Sequence, residues 1–201
     1  MRFTGHLDLI LTWERTFRRA GLPLSYSEGF NPRPVINLAS PLPLGFISSA
    51  ELGDFWLSDT RSQTEVLKAL TKSLPPGLEI NDINELSEIH GKKLPGLVDR
   101  SEYMVSLSED HPGLNDKITT LLQAAKVIRS RKNKEYDLRP LIHAISVIDL
   151  EDDTPPALKI SLFSLTNGTG RPDEVLLALG IPPLESVICR TAIILKSGDE
   201  N

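Results

Sequence analysis

Apolar residues recur at helical spacing near the start of the chain. Leu7, Ile10, Leu11, Trp13, Phe17 and Ala20 define an inward stripe, while Asp8, Thr12, Arg15 and Arg19 take the other face. The pattern predicts an amphipathic helix over 7–20, stopped by Gly21 and Pro23, with Arg18 and Arg19 suiting its negative end. Val35 to Ala39 and Glu51 to Leu57 then read as strands. Thr60 caps a second helix, with Gln63 answering it three residues on. Val66, Leu67, Leu70 and Leu74 form its stripe, Pro75-Pro76-Gly77 stops it, and Leu78 to Ile83 reads as a further strand.

The stretch 87–101 is polar, with two glycines and a proline, and reads as a linker. Beyond it Tyr103, Val105 and Leu107 alternate as a strand, and a helix over 113–125 turns Leu114, Ile118, Leu121 and Ala125 inward. A strand over 127–131, a turn over 132–135 and a short helix over 138–145 capped by Asp137 follow. Strands over 147–150 and 158–165 pair as a hairpin across the acidic turn 151–156. A helix from Pro172 to Gly180 and a strand over 187–195 close the chain.

The class is therefore α+β. Both halves approximate βαββαβ, two tandem ferredoxin-like units: an N-terminal domain over 1–86, the linker 87–101 and a C-terminal domain over 102–201. The first half reads helix, strand, strand, helix, strand, and needs a leading strand to complete the plan.

Composition narrows the function. Lys and Arg number 22 against 27 Asp and Glu, so a polyanion must be held by a local patch rather than by net charge. Cys189 is the single cysteine, which excludes an internal disulfide and any multi-cysteine metal or iron–sulfur site supplied by this chain. No apolar run reaches the length of a membrane span and no signal peptide is visible, so a cytoplasmic protein without a membrane partner is expected.

The densest chemistry follows the first helix: Ser25-Tyr26-Ser27-Glu28-Gly29-Phe30-Asn31-Pro32-Arg33-Pro34. Gly29 can take positive φ, and the two prolines hold their own φ and bias Asn31 and Arg33 toward extended backbone. Such a loop is stiff, yet it presents hydroxyls, a phenol, a carboxylate, an amide and a guanidinium.

The runs RFTGHLDL, WERTFRRAGLPLSYSEGFNPRP and SPLPLG resemble the opening signature of the bacterial radical-SAM-linked family, as do, more thinly, Tyr136 to Pro140 and Gly170 to Leu176. The resemblance implies a partner, a radical SAM protein fused to or encoded beside such chains, which would carry the iron–sulfur cluster and S-adenosylmethionine. No cofactor is expected in this chain. The family usually has a strand before the Arg-Phe-x-x-His-Leu-Asp run. This chain starts at Met1 instead, so the first sheet is expected to lack that strand.

Each candidate site has a plain alternative. His6 could serve as a general base, its ordinary pKa of about 6.5 lying near neutrality, or simply bond loop carbonyls at a helix start. Without a second histidine nearby, no metal site is expected. Arg2, Arg15, Arg18, Arg19 and Arg33 could form a cationic strip, with Tyr26 or Phe30 stacking a base. Equally, they could pair with Asp8, Glu14 and Glu28 on a solvated face. Trp13, Phe17 and Trp56 read as core. Lys126, Arg129, Arg131, Lys132 and Lys134 form a second basic cluster on a hairpin, read as edge protection or as answering the acidic run 149–153. Gly168 to Arg171 precedes a helix, but lacks the P-loop lysine and reads as a turn.

The expected function is an accessory or substrate-presenting module for the radical SAM protein, binding RNA. Arg2, His6, Asp8, Arg15, Arg19, Tyr26, Ser27, Gly29, Phe30, Asn31 and Arg33 form its binding set, and no catalytic residue is assigned beyond His6 as a candidate. The alternatives are a metal-independent endoribonuclease using His6, and a protein-binding adaptor for the same partner.

Overall fold

In a computed structural model the described residues are 1–86, 94–131, 133–150, 155–166 and 168–196. In chain order they form α1 (His6–Arg19), β1 (Ile36–Leu38), β2 (Ile47–Ser48), β3 (Gly53–Phe55), α2 (Gln63–Ser73), α3 (Leu94–Leu97), β4 (Val98–Ser106) and α4 (Leu114–Gln123). There follow β5 (Ile128–Arg131), β6 (Lys134–Asp137), a 3-10 turn (Arg139–Leu141), β7 (Ile142–Ile148), β8 (Ala157–Leu165), β9 (Gly168–Thr169), α5 (Pro172–Ala178), a 3-10 turn (Pro183–Glu185) and β10 (Val187–Leu195). The architecture is mixed α+β. The chain divides into two compact units, Met1–Gly45 with Glu51–Leu97, and Phe46–Ala50 with Val98–Asn201.

The first unit is built on Phe17. Its ring lies 4.6 Å from that of Phe55 and 6.2 Å from that of Trp13, and Leu22, Leu24, Val66 and Leu70 close around it. Gly21, at φ 68°, ends α1 in the left-handed conformation that glycine tolerates, and Leu22 donates back to the Phe17 carbonyl at 3.1 Å. Leu7 and Leu11, expected to face inward, are exposed, because the buried side of α1 is centred on Thr16 and Phe17. The cap of α2 is Ser62 rather than Thr60. Its hydroxyl accepts from the Glu65 amide while the Glu65 carboxylate accepts from the Ser62 amide.

The sheet of this unit is small. β1 and β3 pair antiparallel, Ile36 opposite Phe55 and Leu38 opposite Gly53. The strand expected over 78–83 does not form; Ile80 and Ile83 pack on the Phe17 cluster from coil. Among the described residues this unit therefore has two paired strands, β1 and β3, where three were expected.

The second unit carries the main sheet, in the order β2-β10-β4-β8-β7. β10, β4, β8 and β7 are antiparallel neighbours, with Tyr103 opposite Ile160 and Val105 opposite Leu158. Along β4, Ser101, Tyr103 and Val105 are buried while Arg100, Glu102 and Met104 are half-exposed. One face is thus packed and the other polar, where Lys159 meets Glu102 at 3.2 Å. The strand β4 begins at Val98, inside the expected linker; residues 87–93 of that linker lie outside the described residues.

Several expectations for this unit change. The short helix expected over 138–145 is a single 3-10 turn followed by β7. Of the turn expected over 132–135, Asn133 is a turn, Lys134 and Glu135 belong to strand β6, and residue 132 lies outside the described residues. Ala125 of the expected inward stripe is exposed, whereas Leu114, Ile118 and Leu121 are buried. The expected hairpin with β8 forms, but its first strand is β7 over Ile142–Ile148 rather than 147–150, and residues 151–154 of the connection lie outside the described set.

The edge strand β2 comes from the first half of the sequence. It runs parallel to β10, with Ile47 opposite Cys189, and the Ser49 amide and Ser48 hydroxyl both donate to the Arg190 carbonyl, at 3.0 and 3.2 Å. Arg190 is itself fully buried, its guanidinium 5.8 Å from the Tyr103 ring directly across the ladder.

Candidate functional site

The loop after α1 folds as a narrow hairpin. Val35 donates to the Ser25 carbonyl at 2.9 Å, Ser27 to the Arg33 carbonyl at 2.8 Å, and the Arg33 amide to the Ser27 hydroxyl at 3.1 Å. Its base is stitched to the β3 side, Ser25 donating to Trp56 and Trp56 to Val35. Pro34 faces Tyr26 at a pair that needs no ladder amide, whereas Pro32 has no amide to extend the ladder past Arg33, where the tip begins. Gly29 turns that tip at φ 124°, a backbone conformation open to glycine.

The hairpin exposes its side chains. Phe30 is wholly in solvent, Tyr26 is half-exposed, and Glu28, Asn31 and Arg33 are exposed. A shallow cavity of about 320 Å³ lies at the hairpin base, lined by Tyr26, Leu22 to Leu24, and Glu14 and Arg18 of the last turns of α1.

The arginines separate into two kinds. Arg19 is committed within the fold: its guanidinium donates to the Ser73 carbonyl at 2.7 Å, closing the end of α2, and to the Thr16 hydroxyl at 3.1 Å. Arg18 pairs with Glu14 at 3.0 Å. Arg2 donates to the Gly45 carbonyl at 2.7 Å and lies 5.6 Å from the Phe3 ring. Arg15 and Arg33 are exposed and make no side-chain ion pair or hydrogen bond among the described residues. The cationic strip is thereby reduced to two open guanidiniums.

His6 opens α1 half-buried, its Nδ1 enclosed and without a hydrogen-bond partner among the described residues. Asp8 is exposed, and its main-chain carbonyl accepts from the Thr12 hydroxyl at 2.7 Å. Among the described residues no group of three or more His, Cys, Asp or Glu could hold a metal ion. No helix among them is long and apolar enough to cross a membrane.

Residues 1–172 match a family described as an uncharacterized protein conserved in bacteria, DUF2344. The chain belongs to that family. No curated protein matches it. Among solved structures, a chain of the crystal structure of a Cbf5-Nop10-Gar1 complex is similar at 15% identity and TM-score 0.44, over 96% of this chain and 46% of that one. This DUF2344 chain thus spans about half the length of the solved chain it matches.

The two downstream motifs of this family member meet in the second unit. Arg129 and Tyr136 face each other across the β5–β6 ribbon, and Arg129 Nε donates to Glu174 of α5 at 3.0 Å. Burial, then the Glu174 charge, holds the Tyr136 hydroxyl above its ordinary pKa. Asp137 accepts from the amides of Val127 at 2.9 Å and Arg139 at 3.0 Å. The Val127 bond is the main reason its carboxyl titrates below the usual range. Arg139 in turn donates to the Leu122 and Ile142 carbonyls. Gly170 sits so tightly that a Cβ there would lie 2.8 Å from Leu162 Cβ and 2.9 Å from the Leu141 carbonyl oxygen.

These motifs therefore anchor the ribbon to α4 and α5. The glycine run at 168–170 is a turn strand: β9 pairs with β8, and the Gly170 amide is spent on the Phe163 carbonyl at 2.9 Å.

Proposed function

We propose that the protein is a binding module that presents an RNA strand on the hairpin 25–35, acting in the cytoplasm beside a radical SAM protein. The observation that carries the RNA reading is Phe30, a wholly exposed ring at the tip of a hairpin closed by ladder bonds. Leaving a large ring in water gains nothing for folding, whereas an aromatic on a stiff support offers a platform for an unpaired base. Arg33 on the same hairpin and Arg15 on α1 are open to phosphates, and Tyr26 and Asn31 supply a second ring and an amide. The radical SAM link is supported by the resemblance of residues 2–45 to a family associated with such proteins.

The strand order β10-β4-β8-β7, with helices after the first and third strands in sequence, supports reading the second unit alone as ferredoxin-like.

The test is a fluorescence titration with single-stranded RNA over a range of salt. Two phosphate contacts predict a log–log slope of roughly −1.4, at about 0.7 per contact. Phe30→Ala should weaken binding roughly 5- to 150-fold, the range of one lost base stack of about 1–3 kcal/mol, with unchanged thermal unfolding. A flat salt response, or wild-type affinity in Phe30→Ala with Arg33→Ala, removes the RNA reading.

A second reading is a protein-binding adaptor for the same partner. The exposed apolar residues Phe3, Leu7 and Leu11, the last two four apart on α1, favour it, because interface cores are apolar and aromatic. Co-purification with the radical SAM protein that is lost in Leu7→Ser with Leu11→Ser, and kept in Phe30→Ala, would select it. The ribonuclease reading finds less support, since the enclosed Nδ1 of His6 gives no orienting hydrogen bond.

A further inference from the structure

We infer that the β5–β6 ribbon of the second unit is a docking arm for the phosphate backbone of a nucleic-acid duplex. The ribbon ladder contains a conflict. Arg131 and Lys134 stand directly opposite each other at the end of the ribbon, and like charges so placed destabilise a strand pair. Both are exposed, and neither side chain has an ion pair or hydrogen bond among the described residues. Asn133 makes the turn beside them in the left-handed conformation, at φ 61°.

The other end of the same ribbon is held firmly. Glu174 takes the Arg129 guanidinium, and Asp137 bonds the amides on both sides of the ribbon base. A two-stranded ribbon fixed at its base, with a repulsive pair of cations at its tip, suits an external polyanion. Edge protection does not explain it, because cations spaced along a strand would shield an edge without opposing one another.

The chemistry of the ribbon selects the class of polyanion. Its exposed side chains are Ile128, Ser130, Arg131, Asn133, Lys134 and Glu135, with no aromatic among them. A protein interface would call for an apolar core, and a single strand for a stacking ring. Charge without either suits the regular phosphates of a duplex, read through its backbone rather than its bases. Two-stranded ribbons also have the width to enter a groove.

The inference does not rest on the hairpin of the first unit, and the two can fail separately. The experiment titrates the full chain with RNA and DNA duplexes of two unrelated sequences over a range of salt. It compares wild type with Arg131→Gln/Lys134→Gln, and separately with Phe30→Ala/Arg33→Ala. The expected result is duplex binding indifferent to sequence. The log–log slope should become shallower by roughly 2 in the ribbon variant, at about 0.9 per lost contact, and stay at the wild-type value in the hairpin variant.

Thermal unfolding of the ribbon variant should be unchanged or raised, since the opposed charges are gone. Absence of duplex binding, or an unchanged slope, overturns the inference. So does a lowered unfolding temperature, which would mean that the cations are answered within the chain. Competition by poly-glutamate as effective as by duplex would overturn it in favour of an acidic protein.

Discussion

The Arg129–Glu174 pair, which holds the ribbon to α5, makes an unequal demand on its two members. The Glu174 side chain is 10% exposed and that of Arg129 27%, so the carboxylate is the more deeply enclosed charge. Arg129→Leu leaves that carboxylate in place without its cation, and should cost about 3 kcal/mol, the low end for an orphaned buried ion because some water reaches it. Glu174→Leu leaves an arginine that can swing its head to solvent, and should cost about 1 kcal/mol. Replacing both puts apolar groups in the same space, and should cost no more than about 1–2 kcal/mol. The double-mutant cycle therefore predicts a coupling of roughly 2–3 kcal/mol. Urea denaturation of the four proteins measures it.

Tyr136 supplies an independent readout. The Glu174 charge raises its pKa and the Arg129 charge lowers it, so the phenol should titrate lower in Glu174→Leu and higher in Arg129→Leu. Additive single-variant costs, or a Glu174 variant costlier than the Arg129 variant, would refute the reasoning.

Three further outcomes are expected. Gly170→Ala forces a methyl against Leu162 and the Leu141 carbonyl, neither able to yield, and should cost about 3 kcal/mol by the same denaturation. Ser62→Ala opens the capping box of α2 and should cost about 1 kcal/mol. Asp54, on β3, has its pKa raised by burial, so its folded state holds the proton more tightly than the unfolded chain does. Its ionisation opposes folding increasingly as pH rises from about 3.8 through the folded value. Asp54→Asn should raise the unfolding temperature at neutral pH, a gain that disappears below that window; a gain persisting in acid would refute it.

The hydrophobic pattern revealed where residues are buried better than how they are paired. Leu138, Leu141, Ile142 and Ile145 fall at helical spacing and are all buried, as a helix would require. The backbone reaches the same result with a 3-10 turn and then a strand whose register shifts between Ile142 and Ala144, bringing residues three apart onto one face. Ile80 and Ile83 likewise signal burial without a strand. At α1 the stripe was ambiguous: Leu7, Leu11 and Phe17 all fit a helical face, and only the positions of Phe55 and Leu70 determine which side is enclosed.

The candidate loop was visible because its glycine and prolines constrain the backbone locally. The commitment of Arg19 to the end of α2 was not, since Ser73 lies 54 residues away in sequence. Nor did anything local in β10 mark Arg190 as buried.

The short strand β2 has a consequence for how this protein is made. Its partner β10 lies 142 residues further along, so the edge of the main sheet stays open until the ribosome has delivered β10 itself. A fragment beginning at Val98 would leave the β10 flank bare, an invitation to intermolecular strand addition. Residues 46–50 act as a built-in guard for that flank, synthesised long before the strand they cover.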